Sequence, residues 1–396
     1  MTSSEIKKLD SQYLMQTYGR FDLAVESGKG SVVKDFEGNE YVDFTSGIGV
    51  CSVGYGNEKW ASAIAEQARK LGHISNLFYT EPGIRLAERL CKATGMSRVF
   101  FANSGAEANE GMIKLARKYS FDKYGQGRST IITLCQSFHG RTVTTLAATG
   151  QDVFHNFFFP FTEGFVNAVA NDIDSVKACD DGTVCAIMLE PVQGEGGVLP
   201  LSPEFINDVK KLCDEKDWLL LCDEVQTGVG RTGTLFAFQT FGFLPDVCSF
   251  AKGIGGGLPL GGIMANEKCG SVLSAGTHAT TFGMNPVCCA GANAVLDILE
   301  GGVLDEVNNK GAYLREKIES FNSPFVKGTR GKGMMIGIVI EGTTPKELAG
   351  KMIASGLLVL TAGSDAIRLL PPLTITYEEM DRGLEIMKKV LCGGDK

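Results

Sequence analysis

The sequence has 396 residues, of which 44% are hydrophobic and 21% charged, with a mean hydropathy of +0.04. This length exceeds that of an ordinary single domain, and the composition is typical of a globular protein with a sizeable core. A formal net charge of −8 without a basic run argues against nucleic acid as a partner.

The apolar runs, the cysteines and the histidines bear on the cellular location of the protein and on metal binding. The N-terminal residues lack the apolar stretch of a secretory signal, and no uninterrupted apolar run approaches the ~20 residues of a membrane span. The 12 cysteines include no CxxC pair, so we expect reduced, mostly buried thiols and a cytoplasmic location. The four histidines are too dispersed for a metal-ligand pattern, and we expect no metal.

Short apolar runs alternate with segments of helical periodicity along the chain. In chain order the predicted elements are short strands within Gly30–Phe44, a helix over Ala106–Tyr124, a strand over Thr130–Cys135, a strand over Cys185–Leu189, a helix over Pro203–Lys216, a strand over Trp218–Cys222, a strand over Asp246–Phe250 and a strand over Met334–Ile340.

Continuous rather than alternating apolarity suits strands that are buried on both faces of a sheet. The pattern therefore predicts an α/β fold with a mostly parallel central sheet between helices and a smaller α+β lobe. Both chain ends contribute to that lobe. We predict an N-terminal segment of the small lobe at 1–53, a large domain at 54–293 and a C-terminal small domain at 294–396.

Two acids, Asp223 and Glu224, directly follow the predicted strand Trp218–Cys222. Carboxyl ends of strands in open α/β sheets are where ligands bind, although such acids can also be solvated loop residues or helix caps. The following stretch Gly228–Gly233 matches GxGxxG, which would indicate a dinucleotide site. Its sequel Thr234–Phe243 looks strand- or loop-like and the expected acid is missing, so we reject that interpretation.

Lys252 lies between the predicted strand Asp246–Phe250 and the glycine cluster Gly255–Gly257. Most lysines are solvated surface charges, but surface lysines are uncommon in such surroundings. A desolvated lysine loses its proton more easily and attacks carbonyl groups. Together with an acid such as Asp223 to hold a pyridine nitrogen, this lysine predicts pyridoxal 5′-phosphate (PLP) as the cofactor.

The start of the predicted helix Ala106–Tyr124 supports the same cofactor. Ser104 and Gly105 would leave free backbone N–H groups and the positive end of the helix dipole to bind a phosphate. An ordinary helix cap with Glu107 in the first turn is the alternative. Beside Asp223 and Lys252, we prefer the phosphate interpretation.

Several long motifs in order carry a resemblance to a known family. They are Phe101–Glu110, Phe138–Arg141, Leu189–Gly197, Cys222–Gly233, Ala251–Gly262, Thr281–Pro286 and Leu369–Pro372. Over nearly its whole length the chain resembles the subgroup III aminotransferases of PLP fold type I, and most closely the acetylornithine aminotransferases. The resemblance implies the PLP-dependent transferase fold, with PLP bound by the large domain.

The resemblance implies a role for each ring-contacting residue. Lys252 would carry the cofactor covalently and move protons, and Asp223 would pair with the ring nitrogen. Phe138 would stack on one face of the ring and Val225 would pack on the other, with Gln226 near the ring hydroxyl.

The resemblance also implies how the cofactor phosphate is held. Ser104, with the backbone of Gly105 and Ala106, would bind it. Thr281 would reach the phosphate of the neighbouring subunit, so the resemblance implies a homodimer with shared active sites.

Substrate choice, by the same resemblance, depends on three charges. Arg141 would bind the α-carboxylate of acetylornithine, and Arg368 that of 2-oxoglutarate or glutamate. Glu195 would neutralise Arg368 while the uncharged chain of an amine donor is bound, and then withdraw, because an unpaired charge facing methylene groups is costly. Surface ion pairing is the alternative for these three residues. Phe78 and Tyr79 resemble the aromatic wall of the substrate channel.

His139 and the loop Gly54–Glu58 also bear on the predicted site. We expect His139 to be a packed structural residue and leave it out of the catalytic set. The loop Gly54–Glu58 departs from the family, whose members usually have Gly-His and a proline there, and this departure bears on substrate specificity.

The predicted reaction is transamination of N2-acetylornithine with 2-oxoglutarate, which gives N-acetylglutamate 5-semialdehyde and glutamate, a step of arginine biosynthesis. One alternative keeps the cofactor but takes ornithine, succinylornithine, 4-aminobutyrate or another ω-amino acid. A second is a PLP aminomutase, which would need no 2-oxoglutarate. A third is a catalytically silent protein of this fold, which the intact Lys252, Asp223 and Arg368 argue against.

Overall fold

The structure is a computed structural model that describes residues 1–393. Its helices are α1 (Ser3–Tyr13), α2 (Ser46–Gly49), α3 (Glu58–Lys70), α4 (Glu81–Thr94), α5 (Gly105–Tyr124), α6 (Val143–Ala148), α7 (Ile173–Ala178), α8 (Pro203–Lys216), α9 (Ala237–Phe241), α10 (Pro286–Ile298), α11 (Leu304–Ser320), α12 (Pro345–Ala354) and α13 (Tyr377–Cys392). Its strands are β1 (Val25–Lys29), β2 (Val32–Asp35), β3 (Glu40–Asp43), β4 (Arg98–Ala102), β5 (Thr130–Leu134), β6 (Phe165–Ala168), β7 (Val184–Leu189), β8 (Val192–Gln193), β9 (Leu199–Pro200), β10 (Leu219–Asp223), β11 (Val247–Phe250), β12 (Gly261–Ala265), β13 (Val326–Lys332), β14 (Met335–Ile340), β15 (Leu357–Leu358), β16 (Leu360–Ala362) and β17 (Ala366–Leu369). Short 3₁₀ helices lie at Asp152–Phe154 and Lys252–Gly255.

A seven-stranded sheet in the order β4-β12-β11-β10-β7-β5-β6 forms the centre of the molecule. Strands β11, β10, β7, β5 and β6 run parallel, and β12 pairs antiparallel with both β11 and β4. Every residue of β7 and β10 is buried, and their apolar side chains are divided between two different cores. The predicted α/β fold and its central strands are confirmed.

Two long helices lie where the apolar spacing predicts them. Helix α5 begins at Gly105, because the Ser104 hydroxyl accepts a hydrogen bond from the N–H of Glu107 at 3.2 Å. Helix α8 is capped in the same way by a serine, and Phe205 and Val209 on its predicted apolar face are buried. Both predicted helices are thus confirmed.

The prediction of a strand or loop over Thr234–Phe243 is wrong, because this stretch contains the short helix α9. The N–H groups of Ala237 and Phe238 donate to the buried Glu224 carboxylate at 2.8 and 2.7 Å. Burial raises the pKa of Glu224 to about 7, and these hydrogen bonds act against that rise. The acid that caps the helix comes from a different segment, so local pattern does not reveal it.

Strands from both chain ends form one smaller sheet, in the order β1-β2-β3-β15. In it Val42 and Asp43 of β3 pair in parallel with Leu357 and Leu358 of β15. A further sheet, β13-β14-β17-β16, comes from the C-terminal part of the chain. The domain boundaries at 53/54 and 293/294 remain predictions.

The stretch Pro286–Ser320 has the length and apolar composition that a membrane-spanning helix needs. Six acidic residues interrupt it, the first two of them Asp297 and Glu300, and its helical geometry is broken at Gly302, where φ is +109°. Helix α10, its first half, packs against α3 and α4. In this fold the stretch is therefore a pair of packed helices.

Arg231 connects the segment after β10 with the C-terminal part of the chain. Its side chain is 2% exposed and donates to the carbonyl oxygens of Met334 at 3.2 Å and Pro371 at 2.6 Å. Burial lowers the pKa of Arg231 to about 9, while the charge of Asp43 acts against that fall. One buried guanidinium thus satisfies carbonyl groups that have no access to water.

Replacing Arg231 with alanine should lower the free energy of unfolding by roughly 3 kcal/mol, because two buried carbonyl groups lose their donors. Urea unfolding of wild type and variant at equal cofactor loading measures the difference. Lys351→Ala is the control, since Lys351 forms only an exposed pair with Glu347. Equal unfolding midpoints for wild type and Arg231→Ala would contradict the anchoring role.

Candidate active site

Five strands, β4, β5, β7, β10 and β11, end at the same edge of the central sheet, and the loops that follow them surround one cavity of about 440 Å³. Nine of the predicted site residues line this cavity: Ser104, Gly105, Ala106, Phe138, Arg141, Asp223, Val225, Gln226 and Lys252. The sheet thus brings together residues that lie up to 150 positions apart in sequence.

The Asp223 carboxylate is the most heavily hydrogen-bonded acid of the cavity and is 3% exposed. Oδ2 accepts from Asn109 Nδ2 at 2.7 Å and lies 2.8 Å from His139 Nδ1. Oδ1 accepts from the N–H of Val225 at 3.0 Å and the hydroxyl of Ser249 at 3.3 Å. These donors compensate a charge that the protein interior would otherwise exclude.

Lys252 follows β11 and has a positive φ of +47°, which is uncommon for a residue with a Cβ. Its side chain enters the cavity, where burial lowers the pKa of its amine. The charge of Glu195 opposes this shift and that of Arg368 adds to it. A larger fraction of Lys252 is therefore neutral at a given pH, as a nucleophilic amine requires.

The start of helix α5 forms another wall of the cavity. A Cβ at Gly105 would lie 2.6 Å from Val225 Cγ1, so only glycine lets the helix start approach the loop after β10 this closely. The first N–H groups of a helix have no partner within the helix, and Gly105 and Ala106, at the positive end of the helix dipole, line the cavity.

Glu195 and Arg368 form an ion pair at one end of the site, with 2.7 Å between Oε1 and a guanidinium nitrogen. Arg368 is 2% exposed, and it also donates to Gln226 Oε1 at 3.0 Å. Burial alone would raise the pKa of Glu195, but Arg368, the charge of Lys252 and the hydrogen bond from Gln226 together make the net shift downward. The family resemblance implies this pair, and its role in substrate binding remains a prediction.

Glu190 joins the two loops that carry the predicted substrate residues. Its carboxylate accepts from the N–H of Phe138 at 2.9 Å and from the N–H of Gly194 at 3.1 Å. Burial raises the pKa of Glu190 to about 7, with the charge of His139 acting in the opposite direction. The loop after β5 and the loop that bears Glu195 are thus fixed relative to each other.

Arg141 has a different environment from Arg368. Its guanidinium carbon lies 4.2 Å from the ring centroid of Phe154 and 5.5 Å from that of Phe138. The side chain is exposed and forms no ion pair with another residue in the described range 1–393. Its hydrogen-bond donors are therefore available to an anion.

Five predicted residues do not line the cavity of this chain: Glu195 and Arg368, which pair with each other beside Gln226, and Thr281, Phe78 and Tyr79. Phe78 is 60% exposed and Tyr79 96% exposed, and Thr281 is exposed as well. Their segments are adjacent, because Asn76 donates to the carbonyl oxygens of Thr280 and Gly283. Within one chain the predicted aromatic wall of the channel is not formed.

The unusual loop Gly54–Glu58 also lies outside the residues that line the cavity. The Tyr55 hydroxyl donates to buried Asp43 Oδ2 at 2.7 Å, and its ring packs on Gly28, where a Cβ would lie 2.8 Å from Cγ of the ring. At the position where the resembled family usually has histidine, this chain thus has a tyrosine that contacts β1 and β3.

The sequence interpretation missed several residues of the site. We expected His139 to be a packed structural residue, and it is buried against Asp223, with 2.8 Å between Nδ1 and Oδ2. Asn109, Glu190 and Phe154 were not among the predicted site residues. Asn109, His139 and Glu190 all lie within the motifs that carry the family resemblance, so the sequence did contain a signal for them. Phe154 lies in no such motif. In the described residues no group of three or more histidine, cysteine or acidic side chains is arranged to hold a metal ion.

Comparison with known proteins identifies the family. The family model described as "Aminotransferase class-III" matches residues 13–391. The chain belongs to the class-III aminotransferases. A curated relative, the acetylornithine aminotransferase of Haemophilus ducreyi, is 52% identical over 99% of both chains.

Solved structures agree with the assignment of this aminotransferase. An ornithine aminotransferase from Toxoplasma gondii superposes with a TM-score of 0.95 at 30% identity, covering 99% of this chain and 96% of that one. An acetylornithine aminotransferase from Elizabethkingia anophelis gives a TM-score of 0.87 at 30% identity over 99% of both chains. The predicted fold type is confirmed.

Aminotransferases of this class use PLP, and the residues of this cavity suit that cofactor. A buried carboxylate is available for the ring nitrogen, an amine of lowered pKa for the aldehyde, and the positive end of α5 for the phosphate. Buried His139 Nε2 and Asn109 Oδ1, both on residues that line the cavity, have no hydrogen-bond partner in the described structure.

Proposed function

We propose that this aminotransferase transfers the δ-amino group of N2-acetylornithine to 2-oxoglutarate, giving N-acetylglutamate 5-semialdehyde and glutamate. The 52% identity to an acetylornithine aminotransferase over the full chain is the observation that carries this proposal. Other curated acetylornithine aminotransferases are 46% and 44% identical over 96% of this chain. The reaction would belong to arginine biosynthesis.

We further propose how the chain holds its cofactor. Asp223 would pair with the ring nitrogen, and Phe138 and Val225 would enclose the two ring faces, since all three line the cavity. Gln226 would contact the ring hydroxyl while keeping its hydrogen bond to Arg368.

The phosphate of PLP would lie at the start of helix α5. Ser104 and the N–H groups of Gly105 and Ala106 line the cavity there, and the helix dipole favours an anion at that end.

When bound, PLP supplies an aldehyde that receives the amine and a ring system that delocalises the negative charge formed when the neighbouring C–H bond breaks. Lys252 would take the proton from the substrate carbon that bears the amino group, acting as a general base. Its lowered pKa favours the neutral amine that this step needs. The Asp223 carboxylate would keep the ring nitrogen protonated throughout.

The two arginines would divide the substrates between them. Arg141 would bind the α-carboxylate of acetylornithine, because no acid of the described chain pairs with it. Arg368 would bind the α-carboxylate of 2-oxoglutarate after its partner Glu195 has turned away. With the amine donor bound, Glu195 would return, so that a buried guanidinium does not face a methylene chain unpaired.

Ornithine is the second candidate donor, because the TM-score of 0.95 is to an ornithine aminotransferase. Identity to that structure is only 30%, against 52% to the curated acetylornithine aminotransferase. Similar backbones at low identity reflect the shared fold more than the shared substrate. Acetylornithine therefore remains the preferred donor.

We also infer a homodimer with shared active sites, in the cytoplasm. The exposed apolar side chains Leu77, Phe78, Tyr79 and Phe282 lie on adjacent segments with Thr281, and such a patch is typical of a protein interface. In a dimer this patch could face the partner subunit, where Thr281 would reach its phosphate site. Twelve unpaired cysteines are typical of a reducing compartment.

Adding N-acetylornithine without a keto acid should abolish the visible absorption of the bound cofactor, because the amino group is transferred to it. Ornithine and 4-aminobutyrate are tested in parallel, and bleaching by one of these but not by acetylornithine would contradict the proposed donor.

Lys252→Ala should reduce turnover by roughly 10³-fold or more, with exposed Lys114→Ala as the control.

Replacing Glu195 with glutamine should raise the KM for acetylornithine about tenfold, because Arg368 then meets the methylene chain with its charge uncompensated. The KM for 2-oxoglutarate should stay equal or fall, since no carboxylate competes for Arg368. Steady-state kinetics measure both values, with exposed Glu204→Gln as the control. Equal rises in both KM values would contradict the proposed movement of Glu195 between the two half-reactions.

Sedimentation velocity should give a dimer with twice the 42.4 kDa mass of the chain. Leu77→Glu should shift the protein toward monomer and lower its activity, because it places a charge within the apolar patch. Leu244→Glu, at an exposed leucine outside the patch, is the matched control. A monomeric wild type with full activity would refute the shared site.

A further inference from the structure

The positive charges of Arg141 and Arg368 are stabilised in different ways. Arg368 is buried and has a carboxylate partner at 2.7 Å. Arg141 is exposed, and its close neighbours are aromatic faces, with Phe154 the nearer at 4.2 Å and Phe138 at 5.5 Å. An aromatic face attracts a guanidinium without accepting the in-plane hydrogen bonds that a carboxylate would take.

Phe154 is held in place by its own segment. It ends the 3₁₀ helix Asp152–Phe154, in which its N–H donates to the carbonyl oxygen of Gln151 at 3.1 Å. The Gln151 side chain donates to the carbonyl oxygen of Ser137 at 3.0 Å, next to Phe138. The following residue, His155, has its Nε2 2.9 Å from the carbonyl oxygen of Leu146 in α6.

The two aromatic rings also contact each other. Phe154 and Phe138 meet edge to face, with their centroids 5.7 Å apart and an interplanar angle of 71°. Phe138 lines the cavity and Phe154 is half-buried beside it. The position of Arg141 is therefore tied to the ring that borders the cofactor pocket.

We propose that Phe154 is a positioning residue for the amino donor: its ring holds the Arg141 guanidinium at the cavity mouth with its donors free for a substrate carboxylate. This inference rests on the proposed function, in which Arg141 receives the carboxylate of the donor. An acid in place of Phe154 would hold the arginine too, but it would compete with the substrate. A flexible aliphatic residue would leave the arginine free to move, and ordering it would weaken binding.

The test compares Phe154→Leu, which removes the ring, with Phe154→Tyr, which keeps it. For Phe154→Leu the KM for acetylornithine should rise roughly three- to thirtyfold, the factor expected for one cation–π contact. The KM for 2-oxoglutarate should stay within about twofold, because Arg368 binds that substrate. Phe154→Tyr should restore the KM for acetylornithine, and Phe157→Leu, at an exposed phenylalanine three residues away, is the matched control.

A second donor separates positioning from general damage. N-acetylputrescine equals acetylornithine without its carboxylate, so Phe154→Leu should leave its kcat/KM unchanged. In an Arg141→Gln background, Phe154→Leu should add no further rise in the KM for acetylornithine, because the arginine through which it acts is gone. A loss that is equal for both donors, or that persists in the Arg141→Gln background, would overturn the proposal.

Failure of the proposed function gives a different result. A wild type that rejects acetylornithine but accepts ornithine or 4-aminobutyrate refutes the donor assignment. The same comparison, made with the accepted donor and its decarboxylated analogue, then decides the role of Phe154. The cofactor absorption and thermal unfolding of each variant identify any that fail to fold.

Discussion

The arrangement of this site depends on compensating one buried carboxylate. Asp223 stands at the end of β10 with 3% of its surface exposed, and its hydrogen-bond partners come from α5, from the loop after β5, from β11 and from its own loop. A charge so placed is tolerated only when several donors surround it. The hydrogen bonds to Asp223 therefore fix the relative positions of the segments that carry the proposed phosphate site, the proposed stacking ring and Lys252.

Two substrates of different charge pattern use one cavity, and the chain meets this demand with two kinds of compensation. Arg368 is buried, so its charge needs a partner, and Glu195 provides one, which under the proposed function rotates away when 2-oxoglutarate binds. Arg141 is exposed, so solvent stabilises its charge and aromatic faces suffice to orient it. The buried Arg368 therefore requires a counter-charge that can be removed, whereas the exposed Arg141 does not. Glu190 keeps the loops that bear these groups in register.

Local sequence pattern was enough for the central strands, for α5 and α8, and for the positions of Asp223 and Lys252. Continuous apolar runs and capped helices are determined by neighbouring residues, so they are visible in the sequence. Helix α9 and the partners of Asp223 were not, because their hydrogen bonds join residues far apart in the chain. Phe154 was missed for the same reason: its ring meets Arg141 only after the loop folds back. Phe78 and Tyr79, predicted as the aromatic wall of the substrate channel, are exposed in one chain, because a local motif does not show which surface its side chains will face.

The pairing of β3 with β15 has a consequence for how the protein is made. The two strands lie about 300 positions apart, so on a ribosome β1–β3 leave the exit tunnel long before their partner is synthesised. The nascent chain must keep an open strand edge unpaired throughout that interval, which exposes it to wrong association. Arg368 is also translated late, in β17. A chain released early would therefore retain Asp223 and Lys252 but lack the residue proposed to select the keto acid.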